Sequence, residues 1–169
     1  MLSDNIISER LILRDMTEND AEDVWEIWSN SENEKYMGDP VESLDEVMGI
    51  GKENRNSNGH LKVVISIATD ETIGTCCFGT TNKKYEWGFG YSIKEGHWGK
   101  GYATEIVKSI IAHGHSLGIT DFISDCAIEN TASGRVLEKC GMIMDHESSF
   151  KNKKTNMVYE SHVYKLHLE

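Results

Sequence analysis

Features that direct a chain to a membrane are missing from these 169 residues. No stretch approaches the roughly 18 consecutive apolar residues of a membrane span, and the opening residues carry no basic head followed by an apolar run. Proline occurs once, at position 40, and no linker-like segment divides the chain. We therefore expect a single domain over residues 1–169, located in the cytoplasm, with no membrane partner.

Cysteine and histidine lack the spacing of disulfide or metal sites. The four cysteines show no C-x-x-C pair, and Cys76 and Cys77 are adjacent. The seven histidines show neither H-x-x-x-H nor H-E-x-x-H spacing. We expect free thiols and no bound metal.

Positive charge is also in short supply. Lys and Arg total 17 against 28 Asp and Glu, which gives a net charge of −11. Such a surface repels the phosphates of nucleic acids, so we expect no nucleic-acid partner. It attracts a cationic amine, although many acidic surfaces serve solubility alone.

The sequence does contain well-marked helix and strand patterns. Thr17 with Asp20, and Ser43 with Glu46, form capping boxes that predict two early helices. The later patterns predict a three-strand meander over 61–93, a long helix over 102–118, a strand over 119–128, a helix over 130–141 and a terminal hairpin. This order favours an α/β (α+β) fold with a central mixed, mostly antiparallel sheet of about six to seven strands and helices on both faces.

The third meander strand alternates strictly between two faces. One face is aromatic or aliphatic, and the other is small or polar: Trp87, Phe89, Tyr91 and Ile93 against Glu86, Gly88, Gly90 and Ser92. Glycines in a strand allow a ligand or another backbone to come close.

A loop with two closely spaced glycines, Gly99 and Gly101, separates this strand from the long helix. Glycines at such a turn let backbone N–H groups converge on a pyrophosphate at the start of a helix, whereas the alternative is a plain tight turn. A P-loop is excluded because Lys100 is followed by glycine rather than Ser or Thr. A dinucleotide fingerprint is excluded because Thr104 stands where its third glycine would be.

Three blocks of the sequence carry a resemblance to a known family. They are W-G-K-G-Y-A-T-E from Trp98, N-T-A-S-G-R-V-L-E-K-C-G-M from Asn130, and S-E-R-L-I-L-R from Ser8. The chain resembles the GNAT superfamily of N-acetyltransferases, and within it the branch of ribosomal-protein alanine acetyltransferase-like proteins. The likeness extends from Ser8 to about Leu166.

The resemblance implies acetyl-CoA as co-substrate and a splayed sheet with the pantetheine arm between two strands. By this likeness the cofactor-binding residues are Tyr91, Ser92, Ile93, Trp98, Gly99, Lys100, Gly101, Tyr102, Ala103, Thr104 and Asn130. A backbone N–H near Tyr91 or Ser92 would stabilise the oxyanion.

The resemblance leaves the acid and the base open. Many relatives use a tyrosine where this chain has Leu137, so the resemblance assigns the sulfur contact to Ser133, which could equally be a helix-capping hydroxyl. Glu86 is the candidate base, with a solvated glutamate or solvent itself as alternatives. The branch often carries an acidic residue, as a candidate base, at the position where this chain has Gly88.

The expected reaction moves an acetyl group to a primary amine, either a protein N-terminus or a small amine such as a polyamine or aminoglycoside. Trp28 and Tyr36 are candidates for a substrate wall, although aromatic residues at helical spacing are more often core. Two alternatives are an acyl-CoA-binding regulatory module with weak catalysis and a non-catalytic scaffold. Strands of the terminal hairpin could pair in a homodimer.

Overall fold

The computed structural model describes residues 5–56 and 60–169, and these residues form strands and helices in alternation. The strands are β1 (Ile6–Ile7), β2 (Leu11–Asp15), β3 (Leu61–Ser66), β4 (Thr72–Thr80), β5 (Glu86–Ile93), β6 (Asp121–Ala127), β7 (Ile143–Lys151) and β8 (Val158–His167). The α-helices are α1 (Ala21–Trp28), α2 (Ser31–Glu34), α3 (Leu44–Asn56), α4 (Tyr102–Ser116) and α5 (Thr131–Lys139).

All the strands belong to one sheet, in the order β1-β2-β3-β4-β5-β6-β8-β7. Only β5 and β6 run parallel, and every other neighbouring pair is antiparallel. The parallel pairing stops after three residue pairs, at Gly88 and Ile123. Beyond that point β5 pairs only with β4, and β6 pairs only with β8. The sheet therefore opens into a gap between the second halves of β5 and β6.

Two hydrophobic cores lie on opposite faces of this sheet. The first packs α4 and α5 against the sheet and includes Phe89, Ile106, Ile110, Phe122 and Leu137. The second packs α1 and α3 against the other face and includes Val24, Ile27, Val47, Val63 and Ile65. Burying a side chain of this kind contributes about 1.5–3 kcal/mol. Helices on both faces of a mixed sheet confirm the predicted fold class.

The helix starts follow the predicted capping chemistry. Thr17 and Asp20 form the reciprocal capping box, and a short 3-10 turn there leads into α1. Ser43 accepts a hydrogen bond from the backbone N–H of Glu46 at the start of α3. Asn130 caps α5 by accepting from the backbone N–H of Ser133. In each case a side-chain oxygen satisfies a backbone donor that the first helical turn leaves free.

Three features differ from the prediction. The sheet has eight strands rather than six to seven, because the two-residue β1 pairs with β2. The four-residue α2 was not predicted, since a single turn carries no periodic pattern. The spacing of Ala21, Val24, Trp25 and Trp28 predicts the buried face of α1, but Ile27 is buried and Trp25 is only partly buried. Within the described parts of the chain, no helix combines the length and apolar character needed to cross a membrane.

Candidate functional site

The loop after β5 is shaped by two glycines in the left-handed region. Gly99 has φ of 72° and Gly101 has φ of 80°. Glycine adopts these angles without the steric cost that other residues meet. Trp98 anchors the same loop, because its indole N–H donates to the carbonyl oxygen of Ile93 over 2.8 Å. The loop thus has a fixed path from the end of β5 to the start of α4.

This path leaves a run of backbone donors without partners. Among the described residues, no hydrogen bond starts from any backbone N–H between Gly99 and Thr104, and the first to donate is that of Glu105, to the carbonyl of Gly101. The run includes the first turn of α4, where the helix dipole adds positive potential. Consecutive free N–H groups at a helix start form a site for phosphate oxygens.

Arg10 holds the loop from outside and was not predicted as a site residue. Its guanidinium donates to the carbonyl of Lys100 over 2.9 Å and lies 4.4 Å from the centre of the Tyr102 ring. It also pairs with Glu105 at 2.7 Å. Burial opposes ionisation of Glu105, but hydrogen bonds from Ser8 and Arg10 outweigh it, so the pKa of Glu105 lies below its usual value. The block that begins at Ser8 is the sequence feature that could have pointed to Arg10, because Arg10 stands in it directly before the first long strand.

The gap between β5 and β6 begins where a side chain bridges the two strands. The hydroxyl of Ser124 donates to the carbonyl of Phe89 over 3.0 Å. From there to Ile93, β5 has no strand partner on the β6 side, and this stretch contains the predicted residues Tyr91 and Ser92. An extended ligand arm could lie along this open edge as an added strand does.

Ser133 reaches this gap from the first turn of α5. Its hydroxyl lies 2.9 Å from the phenol oxygen of Tyr91. On β6, burial and the nearby Asp125 charge raise the pKa of the Cys126 thiol to about 11. Leu137, one turn further along α5, is fully buried in the core. The structure therefore joins Ser133 to β5 and leaves position 137 to packing.

Glu86 is not brought together with Ser133. It is 7% exposed and accepts hydrogen bonds from Thr81 at 2.7 Å and Lys83 at 3.3 Å. It lies at the closed end of the β5–β6 pair, five residues before Tyr91, which is about 17 Å along a strand. The geometry corrects the choice of Glu86 as base, because its carboxylate holds the turn before β5.

Asp125 is a carboxylate at the gap that the sequence analysis did not select. It lies on β6, and the alternation of buried neighbours Ser124 and Cys126 places it on the α1–α3 face. It is exposed, and its carboxylate makes no hydrogen bond or ion pair with the described residues. Continuing the parallel register beyond Ile123 sets Asp125 across the gap from Gly90. The sequence feature that could have pointed to Asp125 is an acidic residue within an otherwise regular strand pattern.

The two predicted substrate-wall residues have different surroundings. Trp28 is 8% exposed in the second core, and its indole N–H donates to Thr75 over 2.9 Å, so the structure corrects its assignment to the wall. Tyr36 is partly exposed and packs edge-on against Tyr159, 5.6 Å between ring centres. Phe150 stacks on Tyr159 at 5.4 Å. The terminal hairpin thus adds two aromatic rings to Tyr36.

The hairpin turn also fastens the segment that carries Tyr36. Asn152 is fully buried and donates to the carbonyls of Glu34 and Lys35, over 3.0 and 3.3 Å. Lys154 pairs with Glu34 at 2.7 Å. Asp125 is the cross-strand partner of Val163 on β8. Tyr159 lies an even number of residues from Val163 on the same strand, so both side chains are on one face of the sheet. The rings of Tyr36, Phe150 and Tyr159 therefore lie on the same sheet face as Asp125.

Comparison with known proteins gives a consistent result. Residues 10–143 match the family model described as acetyltransferase (GNAT) domain. The chain is 31% identical to an uncharacterised N-acetyltransferase, p20, of Bacillus licheniformis, over 86% of this chain and 89% of that protein.

Solved structures share the fold. An acetyltransferase of the GNAT family from Bacillus anthracis superposes with a TM-score of 0.85 at 26% identity, covering 97% of this chain and 98% of that one. A ribosomal L7/L12 α-N-protein acetyltransferase in complex with coenzyme A superposes with a TM-score of 0.75 at 17% identity, covering 98% of both chains.

Proposed function

From the premise that this chain belongs to the GNAT acetyltransferase family and is an acetyl-CoA-dependent N-acetyltransferase, we propose that its acceptor is a primary amine. The amine belongs to a protein N-terminus or to a small molecule such as a polyamine or an aminoglycoside. The run of free backbone N–H groups from Gly99 to Thr104 carries the CoA-binding part of the proposal. The exposed Asp125 at the gap carries the amine part.

These N–H groups bind the pyrophosphate of acetyl-CoA. Their donors have no internal partner among the described residues, so an anion gains hydrogen bonds without breaking any. The exposed Lys100 adds a positive charge beside them. Arg10 keeps the loop in place through the carbonyl of Lys100.

Acetyl-CoA supplies an acetyl thioester whose carbonyl carbon an amine attacks. The open edge of β5 from Phe89 to Ile93 orients the pantetheine arm, as an added strand would be oriented. A backbone N–H near Tyr91 or Ser92 stabilises the negative charge that develops on the carbonyl oxygen, which typically contributes about 3 kcal/mol. Ser133 stabilises the departing sulfur by a hydrogen bond.

Asp125 accepts the proton that the amine loses. Its carboxylate is exposed, unpaired among the described residues and at the edge of the gap. On the facing strand, Gly88 and Gly90 present no side chain toward the acceptor. A carboxylate there also attracts a protonated amine before reaction, in keeping with the net charge of −11.

Tyr36, Phe150 and Tyr159 form a wall of the acceptor cleft on the same face. Aromatic side chains supply rigid contact area and favour a cation placed over a ring face. This wall replaces the pair Trp28 and Tyr36 that the sequence suggested, because Trp28 is in the core.

An acceptor screen tests the proposal. The protein is incubated with acetyl-CoA and, in turn, N-terminal peptides, polyamines and aminoglycosides, and release of the CoA thiol is followed. We expect turnover with one amine class, and single-turnover transfer that Asp125→Asn slows. Tight CoA binding without transfer to any amine would contradict the proposal and favour a regulatory module, while absent CoA binding would favour a scaffold.

We also propose a cytoplasmic location and a homodimer. The four cysteines are free thiols, as is usual in reducing compartments. The outer strand β7 is exposed and carries Ile143 at 74% exposure, which supports pairing with a second copy. Light scattering of the wild type and Ile143→Lys tests the dimer, which a monomeric wild type would contradict.

A further inference from the structure

The side chain of Tyr91 has no role in the reaction described above, which uses only its backbone. Tyr91 belongs to β5 and Ser133 to α5, so their 2.9 Å contact links the open edge of β5 to the first turn of α5. It is the single side-chain hydrogen bond of Tyr91 with the described residues. The phenol oxygen of Tyr91 therefore contacts the same Ser133 hydroxyl that the proposed function assigns to the departing sulfur.

The direction of this hydrogen bond decides what Ser133 can do. The contact allows either hydroxyl to donate. Burial raises the pKa of Tyr91, so its phenol stays protonated and can take the donor role. When Ser133 accepts that proton's hydrogen bond, its own O–H is free to point elsewhere. Ser133 contacts Tyr91 on the stretch of β5 that has no partner on the β6 side, which is where the proposed function sets the thioester sulfur.

We propose that Tyr91 is a positioning residue, whose hydroxyl donates to Ser133 and thereby aims the Ser133 O–H at the sulfur that leaves. The inference rests on the proposed function. As the carbon–sulfur bond breaks, the sulfur keeps the bonding pair and leaves as a thiolate, stabilised by the hydrogen bond from Ser133. The nitrogen–carbon bond forms from the neutral amine, whose ammonium proton has first gone to water, and the one proton that the amine loses on attack goes to Asp125.

The position of Leu137 supports this arrangement. The resemblance to GNAT relatives placed a tyrosine at that site of α5, and here the side chain is a fully buried leucine. Tyr91 brings a phenol to the same helix from β5 instead. A hydroxyl that accepts one hydrogen bond while it donates another donates more strongly, because the hydrogen bonds of such a chain polarise one another.

The test compares Tyr91→Phe, Ser133→Ala and the double variant in single-turnover acetyl transfer, with CoA affinity measured by calorimetry. Tyr164→Phe is the matched control, because it removes a buried phenol of the same core whose contact is Glu138 at 3.5 Å. We expect Tyr91→Phe to slow transfer about tenfold with CoA affinity within about twofold of wild type. The double variant should be no slower than Ser133→Ala, and the control should match wild type.

Several results would overturn the inference. A loss of CoA affinity with an unchanged transfer rate would mean that the contact only closes the gap. If the effects of Tyr91→Phe and Ser133→Ala on the transfer rate add fully, or if Ser133→Ala alone has no effect, the two hydroxyls do not act together. Thermal unfolding verifies that each variant is folded, and Ser133→Ala tests the contact from α5 without altering β5. A wild type that binds CoA and transfers to no amine would remove the proposed function, and this inference with it.

Discussion

Gly99→Ala isolates the contribution of backbone shape to CoA binding. Gly99 has φ of 72°, and a Cβ added there meets no atom within 4 Å. The substitution therefore creates no clash, and its effect comes from the left-handed conformation, which costs a non-glycine residue about 1–2 kcal/mol. Gly96→Ala is the matched control in the same loop, because its Cβ also enters open space and its φ is not left-handed.

The free-energy cost of the left-handed conformation at residue 99 must appear either in the stability of the protein or in its affinity for CoA. If the variant keeps the native φ, its free energy of unfolding falls by about 1–2 kcal/mol. If the loop relaxes, the N–H groups leave their positions, and the same free energy raises the Kd for CoA about 5- to 30-fold. Denaturant titration and calorimetry on both variants separate these cases. Wild-type stability together with wild-type CoA affinity in Gly99→Ala would refute the assignment of this loop.

Three further predictions concern the base, the loop anchor and the core. Asp125→Asn keeps the side-chain size and removes the base, so we expect kcat to fall about 100-fold with the KM for acetyl-CoA unchanged in a thiol-release assay; an unchanged kcat would assign the proton to solvent. Arg10→Ala removes the guanidinium hydrogen bond and charge, which contribute to lowering the pKa of Glu105 from 4.5, while the hydrogen bonds from Ser8 and from the backbone of residue 10 remain. That lowered pKa stabilises the fold above pH 4.5, and the contribution is lost as the pH falls through the folded-state value, so the stability gap between wild type and variant should shrink on acidification and a constant gap would contradict it. Trp28→Phe leaves the buried Thr75 hydroxyl without its donor and should cost about 1–3 kcal/mol in denaturant titration, whereas a raised acceptor KM at wild-type stability would return Trp28 to the substrate wall.

Local patterns were sufficient for most of the elements. The capping box at Thr17, the Ser43 cap and the alternation of β5 each depend on neighbours within a few residues, and the structure contains them where expected. The Ser43 box is only half formed, because the Glu46 carboxylate accepts from the backbone N–H of Glu42 instead of that of Ser43. The short elements β1 and α2 were missed for the converse reason. A two-residue strand exists only because β2 pairs with it, and one helical turn is too short for a period.

The sequence by itself determined the fold class and the family and predicted the loop that we propose binds phosphate, because glycine spacing and hydrophobic period act over short stretches of chain. The tertiary structure alone decided which polar side chains share the cleft. It removed Glu86 to the closed end of the sheet, buried Trp28, and brought Tyr91 to Ser133 from 42 residues away. Such distances depend on where two strands separate, and that point is set by packing on both faces of the sheet.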